Sequence, residues 1–305
     1  MAALTSEEYT AACRFLTGLS LGSLRSHENF GISLLYREAQ PPTHQGIMLE
    51  EAVKSGLVIS EQETPCIEVL DVENNTGKDV IILSGEYVVG GSQNRVVATS
   101  VCLKSGYKGT LPVRCVEQGR WNHSAPREFF SGGHTPSIVR SSVHNQHAVW
   151  EEVSRTLTST RSVCQTSNLG QAYANHAENL DSVLRQFQYE QKGVGVIAAI
   201  RMKEHTRLVL DIFSDKYKME QHYAGILRAR ALEALQYNNP SATLSLRVGA
   251  LSMFIHTALD HTVTKESAEL SLGRHTVFST PDNSTTGSVL TVNKVPVYLT
   301  VACTV

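Results

Sequence analysis

Apolar residues fall along this chain in two periods, and the stretches that keep each period predict its elements. Alternating and β-branched runs dominate the first half. CIEVLDVEN (66–74) alternates Ile67, Val69 and Asp71 against Glu68, Leu70 and Val72, and Asn74-Asn75-Thr76-Gly77 supplies a turn after it. DVIILSGEYVV (79–89), NRVVATSVCL (94–103) and GTLPVRCVEQ (109–118) read as three further strands, separated by Gly, Asn and Ser. That order is the one expected of an antiparallel meander. Upstream, IMLEEAVKSGLV (47–58) spaces Leu49, Ala52 and Val53 as a short helix does, with Gly56 to close it.

After residue 143 the period changes. HNQHAVWEEVSRTL (144–157) puts Val149, Trp150, Val153 and Leu157 on one helical face, and ENLDSVLRQFQ (178–188) does so with Leu180, Val183, Leu184 and Phe187. GVGVIAAI (193–200) and RLVLDIF (207–213) are apolar runs joined by a short polar link, so they read as a hairpin. The longest helix is expected from Lys216 to Gln236, striped with Tyr217, Tyr223, Ile226, Leu227, Ala231 and Leu235 and stopped by Asn238-Asn239-Pro240. A helix near 247–261 and strands over 274–280 and 287–303, with a turn at 284–287, complete the chain. Residues 119–142 keep neither period and read as a functional loop or connector. Strands and helices do not alternate regularly. The expected fold is therefore α+β, with a β-rich antiparallel part (1–142) packed against a helix-rich mixed α/β part (143–305). The length also allows both to form one domain.

Composition narrows the function classes. The 305 residues hold 27 Lys and Arg against 29 Asp and Glu, a net charge of −2. With no basic block, no nucleic-acid partner is expected. No apolar run is long enough for a membrane span. The N-terminal MAALTSEEYTAACRFL reads as a short amphipathic helix, with Glu7 and Glu8 where a signal peptide would be positive. The six cysteines are scattered, so reduced thiols and a cytoplasmic setting are expected. The near-neutral total is a sum of −7 over residues 1–79, +4 over 80–144 and +1 over the rest. A locally positive segment suits one small anionic ligand, or internal pairing with the acidic segment before it.

That segment carries the candidate chemistry. Gly85-Glu86 is followed by Gly90-Gly91-Ser92-Gln93-Asn94-Arg95. Paired glycines allow a bend or a close backbone approach. Gln93, Asn94 and Arg95 then offer amide and guanidinium donors, and Arg can grip a carboxylate or phosphate with two of them. It is neither a Walker loop nor a dinucleotide fingerprint. A hairpin turn satisfying its own backbone is the plainer alternative. The second cluster runs from Pro112 to Trp121 and holds Arg114, Cys115, Glu117 and Arg120. Cys115 reads as a buried thiol, because a neighbouring carboxylate raises a thiol pKa. Glu86 and Glu117 are candidates for an acid–base or metal-binding pair, or for ion pairs with Arg95 and Arg120. His123, His134, His144 and His147 fall close together without a metal-site spacing, so metal and cofactor stay unassigned. Trp121 and Trp150 flank the same stretch and read as core residues or as pocket walls.

The strings SGEYVVGGSQNR, LPVRCVEQGRW and NQHAVWEEV, with LDIF later, resemble the ARPP domain, a family named for its association with ADP-ribosylglycohydrolase and rhodanese-phosphatase genes. The resemblance runs from about Leu34 to about Gln236 and fades over the C-terminal seventy residues. It includes Glu86, Gln93, Asn94, Arg95, Glu117, Gly119, Arg120, Trp121, Gln146, Trp150 and Asp211. The family has no established activity, and its name implies a genomic link to ADP-ribose or phosphoester metabolism.

Two expectations follow. In one, the protein binds and hydrolyses a phosphorylated small molecule of the ADP-ribose or nucleotide type. Gln93, Asn94, Arg95, Arg120 and Trp121 would then hold the ligand, with Glu86 and Glu117 catalytic. In the other it is a non-enzymatic scaffold, a homo-oligomer or partner-binding protein, and the same residues form an internal polar network. An open cleft lined by Glu86, Arg95, Glu117 and Arg120 favours the first; burial and mutual pairing favour the second.

Overall fold

In the computed structural model, which describes residues 6–39, 42–122, 124–190, 192–237, 244 and 246–305, three sheets are covered by helices, and the fold is α+β. The largest sheet runs Leu19–Leu21, Phe30–Arg37, Gly193–Arg201, Thr206–Phe213, Val295–Thr304, Thr285–Val292, Gly273–Ser279 and Val263–Leu270, with Arg25–His27 beside Phe30–Arg37. Its pairs are antiparallel, and the expected hairpin is its centre, with Ile200 opposite Arg207. GVGVIAAI is apolar at every position because both faces of this sheet are covered. The helix Lys216–Leu235 covers one face over Phe30, Val196 and Ile200. The helices Ser6–Leu16 and Val248–Thr257 cover the other over Ile197, Leu210 and Leu299. Asp215 caps the long helix by accepting from the Lys218 N–H. Its expected stop at 238–240 lies outside the described residues.

Six strands form the second sheet, in the order Phe129–His134, Glu86–Gly90, Arg95–Val97, Lys108–Cys115, Val69–Asn74 and Leu57–Ser60. Val101–Leu103, Val80–Ile82 and Ile47–Met48 form the third. Between these two sheets lies an apolar cluster that includes Leu70, Val72, Ile82, Val97 and Leu111. The meander is corrected here. Val69–Asn74 pairs with Lys108–Cys115, not with the strand that follows it. The runs 79–89 and 94–103 each break in two, with one half in each sheet. Their breaks are laced together at a corner, where the Ser84 N–H donates to Ser100 Oγ at 2.9 Å and Ser84 Oγ donates to the Ala98 carbonyl at 3.0 Å.

The stretch 119–142 is likewise not a plain loop. It contains the strand Phe129–His134, whose alternation is hidden by a register shift between Ser131 and Gly133, and the helix Ser137–Ser141. Gln146–Ser159 begins at its cap Asn145, and Leu169–Asn175 adds a helix that the periodicity did not reveal. With Ala177–Gln186 they bury Val149, Leu157, Leu169 and Leu180 against Leu232 of the long helix. At the C-terminus, the run 287–303 is a hairpin turning at Asn293-Lys294, both with positive φ, and Val263–Leu270 is a further strand. No helix among the described residues is long and apolar enough to cross a membrane.

Candidate functional site

The two motif clusters meet, and they bond chiefly to each other. Gly90 has φ 144°, and a Cβ there would come within 2.2 Å of the Glu128 carbonyl. A Cβ on Gly91 would meet the Phe129 ring at 2.3 Å. The glycines therefore admit the neighbouring strand rather than a ligand. Gln93 donates to the Glu117 carbonyl at 3.1 Å, and the Asn94 N–H donates to the Glu117 carboxylate at 3.2 Å. Arg120 pairs with that carboxylate at 2.7 Å and donates to the Gly91 carbonyl at 2.8 Å. Arg95 is fully buried, donates to the Gln93 carbonyl at 2.6 Å and lies 3.6 Å from Glu61. Its guanidinium sits 6.0 Å from the centre of the Trp121 ring, which is 39% exposed. Trp150 is half-buried. Gln146 locks the helix Gln146–Ser159 to the strand end by bonding both the N–H and the carbonyl of Cys115. Burial pushes the Cys115 thiol up, as expected of a structural cysteine.

Glu86 does not join Glu117. It heads its strand opposite His134, the last residue of the neighbouring strand, and both face His222 on the long helix. His134 Nε2 is 2.7 Å from His222 Nδ1, and Glu86 Oε1 is 3.9 Å from the same nitrogen. All three are at least 95% buried. Burial raises the Glu86 carboxyl to about 8 and lowers His222 to about 3. Among the other expected histidines, His147 is exposed beside Glu151, His144 precedes the helix cap, and His123 lies outside the described residues.

A second buried polar system was not legible as such. Asp211, fully buried, accepts from Arg140 at 2.8 Å, from Arg230 at 3.1 Å and from the Tyr298 hydroxyl at 2.5 Å. Glu233 pairs with Arg207 at 3.0 Å and accepts from the Ser137 N–H at 2.7 Å. Burial alone would raise the Asp211 carboxyl, but Arg140 and Arg230 outweigh it and hold it well below the usual range. Asp211 lies in the LDIF string, but Arg140, Arg230 and Glu233 sit on elements that no short motif connects.

Arg140 of this system borders a cleft of about 820 Å³ between the strand Lys108–Cys115, the helix Ser137–Ser141 and the C-terminal strands. Arg114, Arg140, His144, Lys265 and His275 line it, against one carboxylate, Glu266. Arg114 Nε and His275 Nε2 are buried without a hydrogen-bond partner in the protein. Burial lowers His275 to about 4, so the ring is neutral. Another cleft of about 700 Å³ lies beside Thr43 and Asp215. There Lys78, Lys216 and Lys218 face Glu51, Asp79 and Asp215, Lys218 is bonded to Asp215 and Lys78 lies 3.9 Å from Glu51, so the lining charges balance.

No curated protein and no solved structure matches the chain. The profile of the ARG and Rhodanese-Phosphatase-superfamily-associated Protein domain matches residues 18–302. The likeness thus extends past the 34–236 span carried by the motifs and takes in the C-terminal strands, which form part of the same large sheet. With nearly its whole length matched, the chain belongs to the ARG and Rhodanese-Phosphatase-superfamily-associated Protein domain family.

Proposed function

We propose that the protein binds a small phosphorylated molecule in the cleft beside Arg114, and that the motif residues Gln93, Asn94, Arg95, Glu117 and Arg120 act as the internal frame behind it. The burial and mutual pairing of the motif support the frame role: Arg95 and Glu117 are at most 3% exposed, and Arg120 is held by Glu117. The observation that carries the ligand reading is the uneven chemistry of the cleft. With Arg140 already paired to Asp211, Arg114, His144, Lys265 and His275 still outnumber the one carboxylate, Glu266, and two buried nitrogens of these lining residues, Arg114 Nε and His275 Nε2, lack partners. Arg114 Nε carries a proton, and a buried donor costs free energy until an acceptor arrives. A phosphate oxygen is an acceptor of suitable charge. Val143, Val277 and Phe278 give the cleft an apolar wall for a base or sugar face, and its volume is in the range of small-molecule sites. Glu266, its carboxylate, is exposed, so the reading is of binding, without a hydrolytic step.

The test is titration calorimetry with ADP-ribose, ADP and inorganic pyrophosphate on the wild type and on Arg114→Ala, His275→Ala and Arg120→Ala. The expected result is binding by at least one of the three, weakened tenfold or more by Arg114→Ala and His275→Ala. Arg120→Ala should lower the melting temperature and leave the affinity unchanged. Absence of binding, or binding undiminished in Arg114→Ala, defeats the proposal.

A further inference from the structure

Glu86, His134 and His222 come from three elements that are distant in sequence. Glu86 and His134 are direct partners in the antiparallel pairing of Glu86–Gly90 with Phe129–His134, so their side chains leave the sheet on one face, side by side. The helix Lys216–Leu235 brings His222 over that face. It can come so close because Gly225, almost one turn further on, has no side chain: a Cβ there would meet His134 Cδ2 at 3.0 Å. Phe213 stacks on the His222 ring at 5.1 Å, and the Tyr173 hydroxyl holds the His134 carbonyl at 2.7 Å. The His222 ring is thus backed by Phe213, and the His134 backbone is anchored by Tyr173.

What this arrangement lacks is a reason in the protein alone. Glu86 Oε2 accepts the Leu83 N–H at 2.6 Å, while Oε1 lies 3.9 Å from His222 Nδ1, beyond hydrogen-bond reach. The nitrogens that face each other are His134 Nε2 and His222 Nδ1, 2.7 Å apart. Three potential ligand atoms, one from each residue, lie within 4.8 Å of one another. A buried carboxyl group beside two imidazoles can take its ionised form where a cation joins them.

We propose that Glu86, His134 and His222 bind a divalent transition-metal ion of the zinc class. Two imidazole nitrogens and one carboxylate oxygen form a donor set suited to Zn²⁺, Co²⁺ or Fe²⁺, and the nitrogens disfavour Mg²⁺ and Ca²⁺. Two nitrogens bound tetrahedrally at about 2.0–2.1 Å would stand roughly 3.3 Å apart. They stand at 2.7 Å here, so loading requires the rings to separate by about half an ångström. The proton shared between the rings then moves to an outer nitrogen of its own ring, and the Glu86 carboxyl gives its proton up to solvent. A fourth ligand position stays open for water. Because the ligands come from two paired strands and the long helix of the other sheet, the ion ties the six-stranded sheet to the nine-stranded one. The site is separate from the anion cleft and does not depend on it.

The experiment grows the full-length protein in medium with added Zn²⁺ and measures bound metal by mass spectrometry after gel filtration. A second arm strips the protein with chelator and titrates it with Co²⁺, reading the visible spectrum and the melting temperature. We expect about one ion per chain, four-coordinate Co²⁺ bands without thiolate charge transfer, and a rise in melting temperature on loading. Glu86→Gln and His222→Ala should drop the bound metal at least tenfold, and His147→Ala, an exposed histidine, should not. Full metal retention in either folded variant overturns the proposal. If those variants do not fold, the wild type decides it: no Co²⁺ bands, or bands of a thiolate site, overturn it equally.

Discussion

Asp211→Asn isolates the buried ion network with the least change in shape. The carboxylate is fully buried and serves Arg140 at 2.8 Å, Arg230 at 3.1 Å and Tyr298 at 2.5 Å. Asparagine keeps one acceptor oxygen but turns an NH₂ towards one guanidinium, so donor faces donor. Two buried cations then share a neutral partner. Removing one member of a buried ion pair costs about 3–5 kcal/mol. Unfolding entropy of about 2.1 cal/mol/K per residue gives roughly 0.6 kcal/mol/K for 305 residues, so the melting temperature should fall by about 5–8 °C. The pH dependence has a definite sign. Asp211 is held below its ordinary value, so its stabilising contribution is complete above the unfolded pKa of about 3.9 and is lost as pH falls through the folded value. The difference between wild type and Asp211→Asn should be flat from about pH 8 to 5 and narrow below about pH 4. Scanning calorimetry across that range measures it. Adding Arg230→Met should cost less than the sum of the single changes, because it removes a charge the first change left unpaired. A fall of less than about 1 °C, or strict additivity of the two substitutions, refutes the network as an energetic unit.

Three further outcomes follow from single residues. Gly90→Ala should destabilise by about 2 kcal/mol or more, because its Cβ would strike the Glu128 carbonyl, whereas Gly77→Ala, in open space with φ 74°, should cost about 1 kcal/mol; denaturant unfolding compares them. Gln146→Ala removes both hydrogen bonds to the Cys115 backbone and should cost about 1–3 kcal/mol, read in the same assay. ADP-ribose binding should strengthen as pH falls from about 8 to 5: an anion raises the pKa of His275, held near 4 without one, while the ligand's diphosphate gains no proton in that range. Calorimetry should find this slope reduced in His275→Ala, and an equal slope there would count against His275.

The chain by itself determined the elements whose period is uninterrupted. GVGVIAAI and RLVLDIF read as strands and are strands, and the helix Lys216–Leu235 ends within one residue of its expected bounds, although Tyr217 of its expected stripe is exposed. GGSQNR and CVEQGRW were also legible as one specific pair, and the fold brings them together through Glu117. Where a glycine bulge interrupts the alternation, as in Phe129–His134, the period disappears and the strand with it. Where a strand bends from one sheet into another, as at Ser84 and Ser100, a continuous apolar run conceals the corner. Tertiary structure alone decided the partners of the charges. Whether Glu86 meets an arginine or two histidines depends on residues 48 and 136 positions away, and cross-chain contacts leave no local spacing to read. The same holds for Asp211, whose arginines come from two different helices, and for His275, whose ring is buried between strands with Nε2 unpartnered. Periodicity records which face of an element is buried; only packing determines what stands opposite that face.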